Sequence, residues 1–269
     1  MTAALTACVA AAPEPAALPP GVEVELFQLR SDVADRSAQM RVINGSDEDV
    51  IVESLRFDDD WFDGEAVRER TSTIPAGRTV DLRFTLPESA CDEEPTADER
   101  TSSVIFELEG GDVVTLPVTD TLGFTTLMHE KECLRHDLAQ VATLAWTSFT
   151  ASESAQPAAL ELTVTPTGGD GIAELVEVQT TNLLQFDTVP APFPLVQQVA
   201  GTDAATTVSL PILPLRCDPH AVMEDKRGTV FNVAVKAGGL QGVVEVAASE
   251  EMRGAILRWV SDWCDFGAG

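Results

Sequence analysis

Tyrosine is absent from the 269 residues, and histidine occurs three times. The first absence rules out a tyrosine corner, in which a buried phenol ties adjoining strands together. The second leaves little for a Ser-His-acid triad, and the hydroxyls between Ser148 and Ser154 lie in no strand-Gly-x-Ser-x-Gly context. Cations are scarce too: 17 Lys and Arg stand against 44 Asp and Glu, a formal charge of -27. A surface of that sign repels phosphate backbones and anionic lipid heads, which excludes nucleic acid as a partner. No segment is apolar for long enough to span a bilayer, and long amphipathic helices are missing from the hydrophobic pattern.

What is present reads mostly as strand. With 44% hydrophobic residues the chain can bury one large core or two ordinary ones. The runs "AQMRVIN", "DVIVESLRF", "RTVDLRFTL", "SVIFELE" and "DVVTLPV" are apolar or β-branched and are cut off by Gly, Pro, Asp or Asn. Val80, Leu82, Phe84 and Leu86 alternate with Asp81, Arg83 and Thr85, the pattern of an antiparallel sheet with one wet face. "GGDG" at Gly168 to Gly171 reads as a hairpin turn. Near the end Met252, Ala255, Ile256, Trp259 and Trp263 recur at steps of three and four, a candidate helix whose alternative is a final buried strand.

The chain repeats itself. "TVDLRFTLPESACDEEPTADERTSSVIFELEGG" from Thr79 matches "TVSLPILPLRCDPHAVMEDKRGTVFNVAVKAGG" from Thr207. Thr79, Val80, Leu82 and Phe84 correspond to Thr207, Val208, Leu210 and Ile212, and Cys91-Asp92 to Cys217-Asp218. Counted from Arg100 and Arg227, Val104, Phe106 and Leu108 fall opposite Phe231, Val233 and Val235. Each copy reaches a Gly-Gly turn and then a second cysteine, Cys133 or Cys264. The pattern implies two related domains of about six to eight strands each, joined near His136 to Leu138.

A structural disulfide copied with its domain explains the four cysteines better than a reactive thiol, because His220, beside Cys217, has no counterpart in the first copy. Pairing within each domain, Cys91 with Cys133 and Cys217 with Cys264, is the simplest of the three connectivities. Each bridge is worth about 4 kcal/mol in the chain-entropy model, and such bonds imply an oxidising compartment. In "FDDDWFDGE" Asp58, Asp60 and Asp63 are weak candidates for hard-cation ligands, set against a solvated loop that carries Trp61 and Phe62 into the core or onto a contact surface. His129, Glu132, Cys133 and His136 have zinc-like spacing, but a zinc site would need Cys133 out of its disulfide.

Two resemblances complete the reading. "LTAC", Leu5 to Cys8, resembles the lipobox of bacterial lipoproteins, and an Ala/Pro tether, "VAAAPEPAALPPG", follows it. The resemblance implies a diacylated Cys8 that anchors the chain to the outer face of the cell membrane. Strand count, domain size and one bridge per copy resemble tandem immunoglobulin-like β-sandwiches. Neither copy has a Trp about a strand after its first Cys, so the bridge is expected to tie an inter-strand loop to the last strand. The expectation is an all-β chain with a lipobox remnant and tether over 1–20 and sandwich domains over 21–137 and 138–269, each with one disulfide. The expected function is that of a non-catalytic, extracytoplasmic envelope protein without cofactor or catalytic residue, binding a protein or surface polymer. The alternative is a secreted metal-binding protein or hydrolase that uses Asp58, Asp60 and Asp63 or the acids near His220.

Overall fold

The computed structural model describes residues 16–92, 100–187, 192–224 and 226–266. Cys8 and most of the Ala/Pro tether lie outside them. The first alternating runs form β1 (Val22–Phe27), β2 (Ser37–Asn44), β3 (Val50–Asp59), β4 (Ala66–Arg68), β5 (Ser72–Ile74), β6 (Thr79–Thr85), β7 (Ser102–Leu108) and β8 (Val113–Pro117). They make two antiparallel layers, β1-β2-β6 and β4-β3-β7-β8, with β5 also paired to β3. Met40 of β2 sits opposite Leu82 of β6, and Leu55 of β3 opposite Phe106 of β7. All four are fully buried in one core, and each such side chain contributes about 1.5–3 kcal/mol of transfer free energy.

An 18-residue helix, α1 (Phe124–Val141), follows, and then the second set: β9 (Ala142–Thr150), β10 (Ala158–Pro166), β11 (Ile172–Val178), β12 (Leu184–Phe186), β13 (Phe193–Ala200), β14 (Thr206–Pro214), a short helix α2 (Pro219–Glu224), β15 (Val230–Ala237), β16 (Leu240–Ala247) and α3 (Glu250–Trp263). The layers are β12-β14-β10-β9 and β13-β11-β15-β16. Each strand β9, β10, β11, β14, β15 and β16 takes the place that β1, β2, β3, β6, β7 and β8 take in the first set. The first two strands and the one before the Cys share one layer, and the third and last two share the other. That is the order of an immunoglobulin-like sandwich, built twice. Contacts divide the chain into two compact units, one ending at His129 and one beginning at Glu130.

The repeat also fixes details. The paired glycines Gly110-Gly111 and Gly238-Gly239 have φ of 96°, 87°, 58° and 89°, the positive values that a tight hairpin between twisted strands requires. Cys217, in the segment after β14, is bonded to Cys264, the C-cap of α3, across 5.3 Å between Cα atoms. Cys91, after β6, and Cys133, in α1, are disulfide-bonded as well.

Three expectations are corrected. "GGDG" is no hairpin, because β10 and β11 belong to different layers and the segment crosses between them. The second cysteine of each copy lies in or at the end of a helix, not on the last strand. A long helix does exist: α1 buries Leu134, Leu138 and Val141 in the second core, while Phe124 and Met128 pack against the first. The C-terminal candidate is a helix, with Ser249 accepting the Met252 amide and Ile256, Trp259 and Val260 buried.

The crossover at Gly169 generates a test. A Cβ there would stand 2.1 Å from the carbonyl oxygen of Gln140, which backbone cannot yield. Gly169→Ala should destabilise the second unit by about 1–3 kcal/mol in urea unfolding. Gly254→Ala, in the middle of α3 where the nearest atom is 3.4 Å away on a flexible Arg258, should instead stabilise by about 0.5–1 kcal/mol. Equal effects of the two substitutions would show that the close approach is not a constraint.

Candidate functional site

The acidic loop is built around the acid that the sequence reading passed over. Along β3 the inward face runs Leu55, Phe57, Asp59, so the middle carboxylate of "DDD" enters the core. Its side chain is wholly buried and takes two bonds from Arg100, at 3.1 and 2.5 Å, and one from the Trp61 amide at 3.0 Å. Arg100 also donates to Thr125, whose hydroxyl donates to Asp120, and its guanidinium lies 5.4 Å from the centre of the Trp61 ring. The Trp61 ring also packs on that of His129, tilted, with centroids 3.9 Å apart. Phe62 is in the core, one of the two placements the loop reading allowed.

Asp58, Asp60 and Asp63 are all exposed. Asp60 is used to fix the neighbouring strand, accepting from the amide and hydroxyl of Thr101 at 2.7 and 2.9 Å. Among the described residues no three His, Cys, Asp or Glu are placed to hold a metal ion. His220 is exposed; its amide donates to Asp218, which starts α2. Arg100 and Arg227, equivalent in the repeat, do different work: one covers Asp59, the other reaches Glu245.

The second unit holds a groove of about 520 Å³ between β9 and β16, walled on one side by α1. Residues 142–146 of β9 and 244–247 of β16 line it, and both strands are edges of their layers. Thr147 is the extra residue of a β-bulge against β10, and next to it Trp146 crosses to β16, where its Nε1 donates to the Val246 carbonyl at 3.0 Å. Arg135 and Glu245 are the charged lining residues. Glu245 is gripped by Arg227 at 2.9 Å and Lys131 at 3.6 Å. Burial pushes its carboxyl up, but the Arg227 hydrogen bond and the charges of Lys131, Arg227 and Arg135 outweigh burial and hold it below the ordinary value. The sequence offered no signal for this groove, since its residues come from three distant segments.

No protein-family model matches the chain, and no curated protein does. Among solved structures it is similar to a red sea bream transglutaminase, at 11% identity and a TM-score of 0.24 over 85% of this chain and 31% of that one. It is also similar to the calcium binding domain CBD12 of CALX1.1, at 15% identity and 0.24 over 82% and 79%, and to the YadV chaperone, at 13% and 0.20 over 79% and 92%. The chain thus spans about a third of the transglutaminase it matches. The sandwich architecture follows from the strand order itself.

Two outcomes test these interactions. Arg100→Met leaves Asp59 buried without its ion partner and should cost about 3–5 kcal/mol in urea unfolding, whereas Asp60→Ala, an exposed hydrogen-bonding loss, should cost about 1 kcal/mol. For Glu245, a carboxyl lowered by folding adds stability that is present above the unfolded value of about pH 4.3 and is lost as pH falls through the folded value. The stability gap between wild type and Glu245→Gln should therefore narrow on acidification below about pH 4. A gap constant down to acid denaturation would contradict the cation cluster's hold on this carboxylate.

Proposed function

We propose that the protein is a non-catalytic, lipid-anchored cell-envelope protein whose two immunoglobulin-like domains bind a partner protein or surface polymer. The observation that carries this reading is the groove of the second unit. It is flanked by two edge strands with open backbone, and its charged lining residues are a cation and a carboxylate already held by other cations. Such a surface supplies recognition through main-chain groups and apolar contact. Asp59, Asp60 and Arg100 of the first unit, in contrast, are engaged in holding the end of β3 to the entry of β7. Oxidised Cys91, Cys133, Cys217 and Cys264 suit an extracytoplasmic compartment. No helix of the described residues is long and apolar enough to cross a membrane, and attachment in this reading runs through a lipid on Cys8.

Fractionation tests the anchor. The chain expressed from its native gene should sediment with membranes, and Cys8→Ala should move to the soluble fraction; equal sedimentation of the two would remove the anchor. Crosslinking in the native envelope tests binding, with recovery of a discrete partner expected and recovery of the uncrosslinked chain alone telling against the proposal.

A further inference from the structure

We infer that the groove between β9 and β16 takes an extended, mainly apolar peptide segment of a partner protein, carrying one carboxylate side chain that pairs with Arg135. The inference rests on the binding reading above and gives it a site and a ligand class. β16 pairs β15 without interruption from Val230↔Ala247 to Ala237↔Leu240, so its outer edge is a regular row of backbone groups. The outer edge of the opposite end of that layer is not: β13 is displaced at a bulge, and Val196 has a φ of 44°. A straight edge accepts an added strand and a bulged one resists it. Trp146 closes the groove at one end by bonding Val246, and the open length along residues 142–146 is about 16 Å at about 3.3 Å per residue, room for a short strand. Leu138, Ala139, Leu144 and Val244 make the lining mainly apolar.

Charge selects the passenger. Three cations, Lys131, Arg135 and Arg227, act on one carboxylate, Glu245. Two of them form its ion pairs. Arg135 is exposed, lines the groove, and makes no hydrogen bond or ion pair of its own among the described residues. In a chain of net charge -27 an excess of cations at a groove is a local inversion of sign. It favours a single carboxylate on an otherwise uncharged segment, while a second copy of this acidic chain is repelled as a whole.

The probe is a labelled peptide of about eight residues, alternating valine and threonine with one central glutamate, and its counterparts with glutamine or lysine in that place. Anisotropy titrations use the full chain and two variants at exposed positions of α1, Arg135→Glu and Ala139→Trp, whose cooperative thermal melts should show that both fold, Arg135→Glu melting a little lower for the charge it takes from beside Glu245. The wild type should bind the glutamate peptide about five-fold tighter than the glutamine one, the scale of one exposed ion pair. Arg135→Glu should reverse the order in favour of lysine, and Ala139→Trp, which fills the groove, should bind none. Hydrogen exchange should slow in residues 240–247 when the glutamate peptide is added. No binding by the wild type, equal binding of all three peptides, slowed exchange elsewhere, or binding of free octanoate with the same Arg135 dependence in place of the peptide would each overturn the inference. Capture of an envelope partner undiminished in Ala139→Trp would overturn it too while leaving the binding reading intact.

Discussion

Each unit depends on one constraint: the inward faces of two layers must meet, and a strand has two faces. Moving β6 by a single residue against β2 would take Leu82 and Phe84 out of the core and bring Asp81 and Arg83 into it. The register is therefore fixed by burial, and much else follows from it. Arg41 and Asp81, opposite each other on the outer face, form an ion pair at 2.8 Å because their neighbours Met40 and Leu82 are opposite each other inside. The same constraint explains why the repeat kept its alternation and lost most of its identities. Leu82 and Leu210, or Phe106 and Val233, need the same side of the strand, not the same side chain.

This is also why the sandwiches and the periodic α3 could be read from sequence and α1 could not. Alternation over seven residues in β6, or eight in β15, is a signal that survives substitution. In α1, by contrast, the buried positions include Thr125 and His129 near the start and Leu134, Leu138 and Val141 near the end. No single apolar stripe runs the length of the helix, and a search for hydrophobic periodicity passes over it. Its start is polar as well: Asp120 accepts the amide and hydroxyl of Thr125, a cap visible in hindsight as an acid shortly ahead of the helix. The short strands β4, β5 and β12, three residues each, carry too little alternation to be recognised.

The candidate site divides along the same line. The acidic loop was found because three aspartates in a row are conspicuous, yet the informative one was the acid in phase with Leu55 and Phe57. Composition pointed to Asp58, Asp60 and Asp63, while strand period pointed to Asp59. A buried carboxylate needs a cation, and Arg100 supplies it from across the layer, at the entry to β7. Trp61 lies against both Arg100 and His129 in the same cluster. The cluster thus has the chemistry of a polar bracket that sets the end of β3, and its desolvation cost is offset by the bonds around Asp59.

Scarcity of cations gives the arrangement of charge its meaning. Across the described residues the usual pattern is one cation facing one or two acids: Arg83 with Asp32 and Asp35, Arg56 with Glu65, Lys236 with Glu174. Apart from Asp32, which is buried, these groups sit on outer faces, where each pair is worth about 0–1 kcal/mol and is screened within about 8 Å at physiological salt. Their service to the fold is to thin the repulsion of a chain at -27. At Glu245 the ratio is turned over, with three cations to one acid. A single arginine already satisfies the carboxylate at 2.9 Å, so the further cations add only longer-range charge stabilisation. An uncompensated cation beside an open groove is instead what capture of an incoming carboxylate requires. In the binding reading proposed above, Lys131 and Arg227 hold Glu245 and Arg135 is the cation that would meet an incoming carboxylate.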